Sequence, residues 1–264
     1  MAIAGTFVPG GAGRILLVTH ELDTASKRAV LVVPAFAEEM NKSRRLVWET
    51  GEALAAHGFM AVVPDLHGTG DSEGEFADAR WETWIDDLRL TVEWARARGV
   101  EKFSALLVRL GAALFAAAAE SLGVVFDRAV AWHPPRSGAE VLRQLLRVKI
   151  MVVRMSGGRA EPLEALERSL LTAREPMELG GYAVSAELAA AVKEAGFPAD
   201  CASAVTDGLI LDFAAPGQAG SAEQLPSRGW QTRRIAAERF WAAVEPRSDA
   251  GLVRATVDFL VAEP

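Results

Sequence analysis

The sequence predicts an α/β protein, a mostly parallel sheet with helices on both faces and a helical segment inserted after the sixth strand. Three observations carry the prediction. Short β-rich apolar runs alternate with amphipathic stretches through the first half of the chain, the rhythm of parallel strands joined by crossover helices. Between Phe103 and Glu120 an apolar run ends at Arg109, and an alanine-rich stretch of helical composition follows Leu110-Gly111. From Ser137 to Pro198 the alternation stops in favour of helical composition, before an apolar run resumes at Leu209-Ile210-Leu211.

Taken in order, Arg14 to Thr19 and Ala29 to Val33 read as strands, with an edge strand at Ile3 to Val8. A loop, Pro34 to Glu39, leads to an amphipathic helix from Ser43 to His57, with Ser43 as its cap and Gly58 as its end. Leu46, Val47, Ala53 and Leu54 fall on its inner side. Met60 to Val63 is a buried strand, and Leu66 to Glu75 a glycine-rich loop. A helix from Ala79 to Arg98 presents Trp81, Trp84, Leu88 and Trp94 to the core. Phe103 to Val108 is a strand, Gly111 to Leu122 the helix behind it, and Asp127 to Trp132 the sixth strand, ending at His133-Pro134-Pro135. Within the helical segment, Val148 to Val153 has the composition of either a strand or a buried helix. A turn is expected at Gly180-Gly181-Tyr182, a last strand near Thr232 to Ala236 and a final helix from Ala250 to Ala262.

The totals exclude some functions. A net charge of −7 argues against nucleic acid or an anionic membrane as partner, because phosphate recognition needs clustered Lys and Arg. Cys201 is the only cysteine, so no intrachain disulfide can form. The first residues lack the basic and apolar runs of a secretion signal, and no apolar run reaches the roughly 20 residues of a membrane span. A cytoplasmic protein without membrane insertion is expected.

Strand, tight turn, glycine and helix is the arrangement of the nucleophile elbow of α/β-hydrolases, with the pattern G-x-S-x-G. Aligned on its last glycine, this chain reads Leu107-Val108-Arg109-Leu110-Gly111, with arginine where the serine would stand. The expected fold is therefore an α/β-hydrolase fold: core residues 1–136 and 199–264, and a helical cap at 137–198. In this fold the oxyanion hole is built from backbone N–H groups, here those of Ala35 or Phe36 and of Leu110. Arg109 cannot act as a nucleophile, and at the N-terminus of a helix it meets a like partial charge. It calls for a carboxylate, with Glu38 and Glu39 the nearest and Asp65 and Asp71 next, or for an anionic ligand. Asp212 fits the acid position of a triad. None of the four histidines, His20, His57, His67 and His133, follows the last strand, where the base belongs. His133, at the end of the sixth strand, is the alternative base. Asp65, His67 and Asp71 share one loop, but Asp in such loops ordinarily serves turns and caps, so no metal and no cofactor is expected.

Pro34 to Arg45 (PAFAEEMNKSRR), Gly68-Thr69-Gly70-Asp71-Ser72, Asp78 to Trp81, Arg109-Leu110-Gly111 and Gly181-Tyr182 together resemble the exosortase A system-associated hydrolases of the second type. The resemblance spans most of the chain and is closest from Pro34 to Trp84. It implies a capped α/β-hydrolase fold in bacteria that use exosortase and export polysaccharide, and it brings no substrate. Two functions stay open. One is an atypical hydrolase of an ester, thioester or related acyl bond, in which Arg109 orients a small anionic or acyl-containing molecule. The other is a catalytically inactive homologue that binds an anionic metabolite or a protein partner.

Overall fold

A computed structural model describes residues 2–22, 26–197, 203–214, 229–243 and 245–262. The chain opens with an antiparallel pair, β1 (Ala2–Pro9) and β2 (Arg14–Glu21). Strands and helices then alternate: β3 (Arg28–Val33), α1 (Glu38–Ala56), β4 (Met60–Asp65), α2 (Trp81–Ala97), β5 (Lys102–Val108), α3 (Gly111–Ala118) and β6 (Phe126–Trp132). Next come α4 (Gly138–Met155), α5 (Leu163–Thr172), a short hairpin of β7 (Met177–Leu179) and β8 (Tyr182–Val184), and α6 (Ala186–Glu194). The chain closes with β9 (Val205–Phe213), β10 (Trp230–Ile235) and α7 (Ala250–Val261).

Among the described residues eight strands form one sheet, in the order β1-β2-β4-β3-β5-β6-β9-β10. β2 runs antiparallel to both of its neighbours, and every pairing from β4 to β10 is parallel. The central strands are apolar along nearly their whole length because helices cover both faces. Val30, Val32, Leu106, Val108 and Val130 point to the face under α1 and α7. Leu31, Val33, Ala105, Leu107 and Ala129 point to the face under α2 and α3. Trp81 and Trp84 are buried on that second face, and Trp94 packs against it half-buried.

Two local expectations change and one open reading is settled. α1 begins at Glu38, so Ser43 lies inside the helix, where its Oγ donates to the Met40 carbonyl at 2.9 Å. Two glutamates in the first turn suit the positive end of the helix dipole, which is why the polar stretch from Glu38 is helix and not loop. α2 begins at Trp81, two residues later than expected, after a single 3-10 turn at Phe76–Asp78. Val148 to Val153 is helical, as part of α4. Cys201 lies outside the described residues. The stretch between β6 and β9 is tied together tightly: the Gly138 N–H donates to the Ala195 carbonyl at 2.7 Å, and a Cβ on Gly138 would stand 1.6 Å from the Val192 carbonyl oxygen. Only glycine lets α4 meet the end of α6 there.

Candidate functional site

At the end of β5 the backbone turns through Arg109 at φ 53, and Leu110 then enters the helical region as α3 begins. The Arg109 N–H donates to the Trp132 carbonyl at 3.1 Å, which ties the turn to the end of β6. Gly111 is required by close approach: a Cβ there would lie 2.5 Å from the Val33 carbonyl oxygen and 2.6 Å from that of Pro34. The start of α3 is thus pressed against the end of β3.

Among the described residues, three other than glycine have positive φ: Ala37 at 51°, Arg109 at 53° and His133 at 40°. Each such conformation costs on the order of 1–3 kcal/mol, and such strain gathers where a fold holds a functional or formerly functional site. All three converge on one cluster. Ala37 leads into α1 and sets Glu39; Arg109 reaches Glu39; His133 receives Arg109 on its carbonyl.

Arg109 is 4 % exposed and Glu39 5 %. The guanidinium Nε donates to Glu39 Oε2 at 3.1 Å and Nη2 to Oε1 at 3.3 Å, a bidentate pair, while Nη1 donates to the His133 carbonyl at 2.6 Å. The face of Trp241 covers the charge, with its ring centroid 4.0 Å from Cζ. Fork geometry, carboxylate and aromatic face are what a buried guanidinium needs once water is withdrawn. Glu38 takes no part in this and pairs with Lys42 at 3.2 Å.

Behind Arg109, His133 Nδ1 stands 3.0 Å from Asp212 Oδ1 and accepts the Phe213 N–H at 3.1 Å. Asp212 belongs to the end of β9 and is fully buried. The His133 ring stacks on Trp241, with centroids 4.8 Å apart and planes at 24°. Burial, with Arg109 and Arg239 adding like charge, pushes the His133 pKa down to about 3. Those three causes outweigh the attraction of the neighbouring carboxylate, and the bond from the Phe213 amide to Nδ1 requires a ring unprotonated at that nitrogen. A base so weak has little driving force to take a proton at neutral pH.

Ala35, Phe36, Leu110 and Gly111 line a narrow cavity of about 20 Å³, closed by Met40, Leu66, Trp81, Trp84 and Leu114. Among the described residues, no backbone hydrogen bond outside the helices and strands uses the N–H of Ala35, Phe36 or Leu110 as donor. The loop after β4 is occupied structurally. Asp65 Oδ1 accepts from Arg44 at 3.2 Å and its Oδ2 from the Asp71 N–H at 2.9 Å, and the His67 N–H donates to Asp87 at 2.8 Å. No cluster of metal-binding side chains occurs among the described residues.

The sheet order, with its single antiparallel excursion at β2 and its sharp turn after β5, matches solved structures over nearly their full length. The esterase Est1E from Butyrivibrio proteoclasticus superposes with a TM-score of 0.65 at 11% identity over 97% of each chain. The structure of Est1E with bound ferulic acid gives 0.64 at 16% identity over 87% of this chain and 88% of that one. The thioesterase domain from the curacin biosynthetic pathway gives 0.55 at 12% identity over 90% and 94%. This is the α/β-hydrolase fold. The profile of the S15 family, X-Pro dipeptidyl-peptidase, matches residues 23–125 of this α/β-hydrolase-fold chain, from β3 through the turn at Arg109 to α3. The search of curated proteins gave no match.

Four residues singled out from the sequence therefore meet in one chain of contacts: Glu39, Arg109, His133 and Asp212. Trp241, which covers both Arg109 and His133, escaped sequence reasoning. Its signal was there: it lies after the last strand, in the region searched for a histidine, in a sequence Phe240-Trp241 that a solvent loop has no reason to carry.

Proposed function

We propose that this chain is a catalytically silent α/β-hydrolase homologue in which Arg109 stands in place of the nucleophilic serine and the former catalytic point is sealed by an ion pair. One observation carries the reading. The guanidinium gives one N–H from each of its three nitrogens to Glu39 and the His133 carbonyl, and the Trp241 ring covers it, so at this point the site offers no nucleophile and its buried cation is already paired. Asp212 lies beside His133 where the acid of a triad would lie, but the Nδ1 that faces it accepts the Phe213 N–H, and the imidazole is neutral, buried and roofed by Trp241. The helices and hairpin between β6 and β9 act as a cap: Tyr182 donates no chemistry but packs on Phe76 and accepts a hydrogen bond from Asn41 at 2.7 Å, holding the cap on α1. Retention of such a scaffold without its chemistry suits a binding role in the exosortase and exopolysaccharide context that the motif resemblance implies.

The atypical-hydrolase reading draws on a different observation, the backbone N–H groups of Ala35, Phe36 and Leu110 that remain around the narrow cavity. They would bind an oxyanion in an acyl-transfer enzyme. A fluorophosphonate serine-hydrolase probe separates the two. The purified protein is expected to remain unlabelled under conditions that label an active serine esterase. Labelling of a serine, abolished by substituting that serine, would restore the hydrolase reading.

A further inference from the structure

Between Val141 and Ala160 the chain carries five cationic residues, Arg143, Arg147, Lys149, Arg154 and Arg159, and no acidic one. This contrasts with the net charge of −7 of the whole chain, which by itself argues against an anionic membrane: the stretch supplies locally the clustered Lys and Arg that the total conceals. The same stretch contains the longest exposed apolar face described. α4 packs through its first half, where Val141, Leu142, Leu145 and Leu146 are buried. Beyond Leu146 no residue of the helix is buried, although six of the nine residues from Arg147 to Met155 are Val, Ile or Met. Ile150 leans on the core, and Lys149 donates to the Glu178 carbonyl at 2.8 Å, which fixes the inward side. Val148, Met151, Val152 and Met155 stand on the other side, with Met155 80 % exposed.

Their spacing of three, four and seven residues aligns them in a single stripe on a helix. At about 100° per residue, Arg147 and Arg154 fall roughly a quarter turn from the middle of that stripe. Arg143 is occupied by Glu167 at 3.1 Å. The guanidinium groups of Arg147, Arg154 and Arg159 make no ion pair or hydrogen bond with the described residues. Apolar stripe, flanking free arginines and a helix end that projects past its packing is the composition of a helix that lies in a membrane interface.

We propose that the C-terminal half of α4 docks on an anionic lipid bilayer, with Val148, Met151, Val152 and Met155 entering the headgroup region and Arg147, Arg154 and Arg159 pairing with lipid phosphates. This is surface adsorption: no described helix is long and apolar enough to cross a membrane. A second copy of the chain fits the face less well. Two such stripes packed antiparallel would bring Arg154 of one helix beside Arg147 of the other, on the same flank, with no acidic residue in the stretch to balance them. The negative charge of the rest of the molecule is screened beyond about 10 Å at 0.1 M salt, so the local cations govern contact at the surface.

Sedimentation with lipid vesicles tests the proposal on the full chain. Vesicles of phosphatidylcholine and phosphatidylglycerol in equal parts are expected to bind the protein, vesicles of phosphatidylcholine alone only weakly, and added salt to release it. Each of Arg147→Ser and Arg154→Ser is expected to lower binding about fivefold. Met151→Glu with Met155→Glu is expected to abolish it. All four positions are exposed, so unchanged thermal unfolding verifies that the variants fold. Absence of vesicle binding by the unmodified protein overturns the proposal, as does binding that survives the paired Met→Glu substitution. A dimer in analytical ultracentrifugation that is lost in the Met→Glu variant, without vesicle binding, reassigns the stripe to self-association and also overturns it.

Discussion

Arg109 carries its charge at every pH at which a protein folds, and here it does so beside the N-terminus of α3 with almost no access to water. Such a cation is tolerable only because Glu39 meets it with two oxygens. The pair is therefore an all-or-none arrangement. Glu39→Gln leaves the guanidinium uncompensated and is expected to cost about 3–5 kcal/mol, whereas replacing both members with apolar residues removes the charge problem along with the pair. Arg109→Met combined with Glu39→Leu should accordingly be closer to the parent in urea unfolding than either single change. The double-mutant cycle measures the coupling directly. Additive losses from the two single substitutions would mean that Glu39 is not what holds Arg109. The sequence indicated that Arg109 needs a carboxylate and offered Glu38 and Glu39 as candidates. It could not choose between them, since the choice depends on the helical phase of α1, and that is fixed by Ala37 turning at φ 51.

At the scale of elements, the strand–turn–helix passage was the most legible part of the chain because its determinants are local. A strand of seven residues, mostly apolar, a turn and an alanine-rich helix follow one another, and Gly111 marks where they touch β3. Gly111→Ala puts this to the test. An alanine in a helix ordinarily gains about 1 kcal/mol over glycine. At Gly111 the added methyl would meet the Val33 and Pro34 carbonyl oxygens at 2.5 and 2.6 Å, backbone atoms that cannot step aside. Net destabilisation of about 2–3 kcal/mol is expected, the usual cost of overpacking. Gly11→Ala, with nothing within 4 Å, should leave the midpoint unchanged and serves as control. The elements that sequence reading misplaced or left open were those whose sides are settled by distant partners. Glu38 and Glu39 looked like loop because the burial of Glu39 depends on a residue 70 positions away. The Val148 to Val153 run looked equally like strand because an exposed apolar stripe has no local signature that separates it from a buried one. His133 and Asp212 were each placed at a strand end, yet their contact depends on β6 and β9 lying side by side across the whole inserted stretch.

The molecule as a whole titrates through buried groups that pull in opposite directions. His133, with its pKa pushed down to about 3, stays neutral in the folded state through this range, and burial lowers the pKa of His20 beside α1, whereas in the unfolded chain each takes a proton near 6.5. Both therefore cost stability as the pH falls below that value. Asp87 behaves in the reverse sense. Burial on the inner side of α2 pushes its carboxyl up to about 6 from an unfolded value of 3.8, even though it accepts the His67 N–H at 2.8 Å. Between these two values the folded state holds a proton that the unfolded state has lost, so the Asp87 contribution is fully present below pH 3.8 and declines as the pH rises through 6. The two effects offset one another across that window, which flattens the dependence of stability on pH. Asp87→Asn keeps an oxygen to accept the His67 N–H and removes the titration. Its stability should rise with pH more steeply than that of the parent by one proton, about 1.4 kcal/mol per pH unit, between roughly pH 4 and 6. Above pH 6 the variant should keep a constant advantage of about 2–3 kcal/mol, because it no longer buries a carboxylate. Urea unfolding followed by tryptophan fluorescence at a series of pH values reads both quantities, and parallel curves for parent and variant would show that Asp87 is ionised in the fold after all.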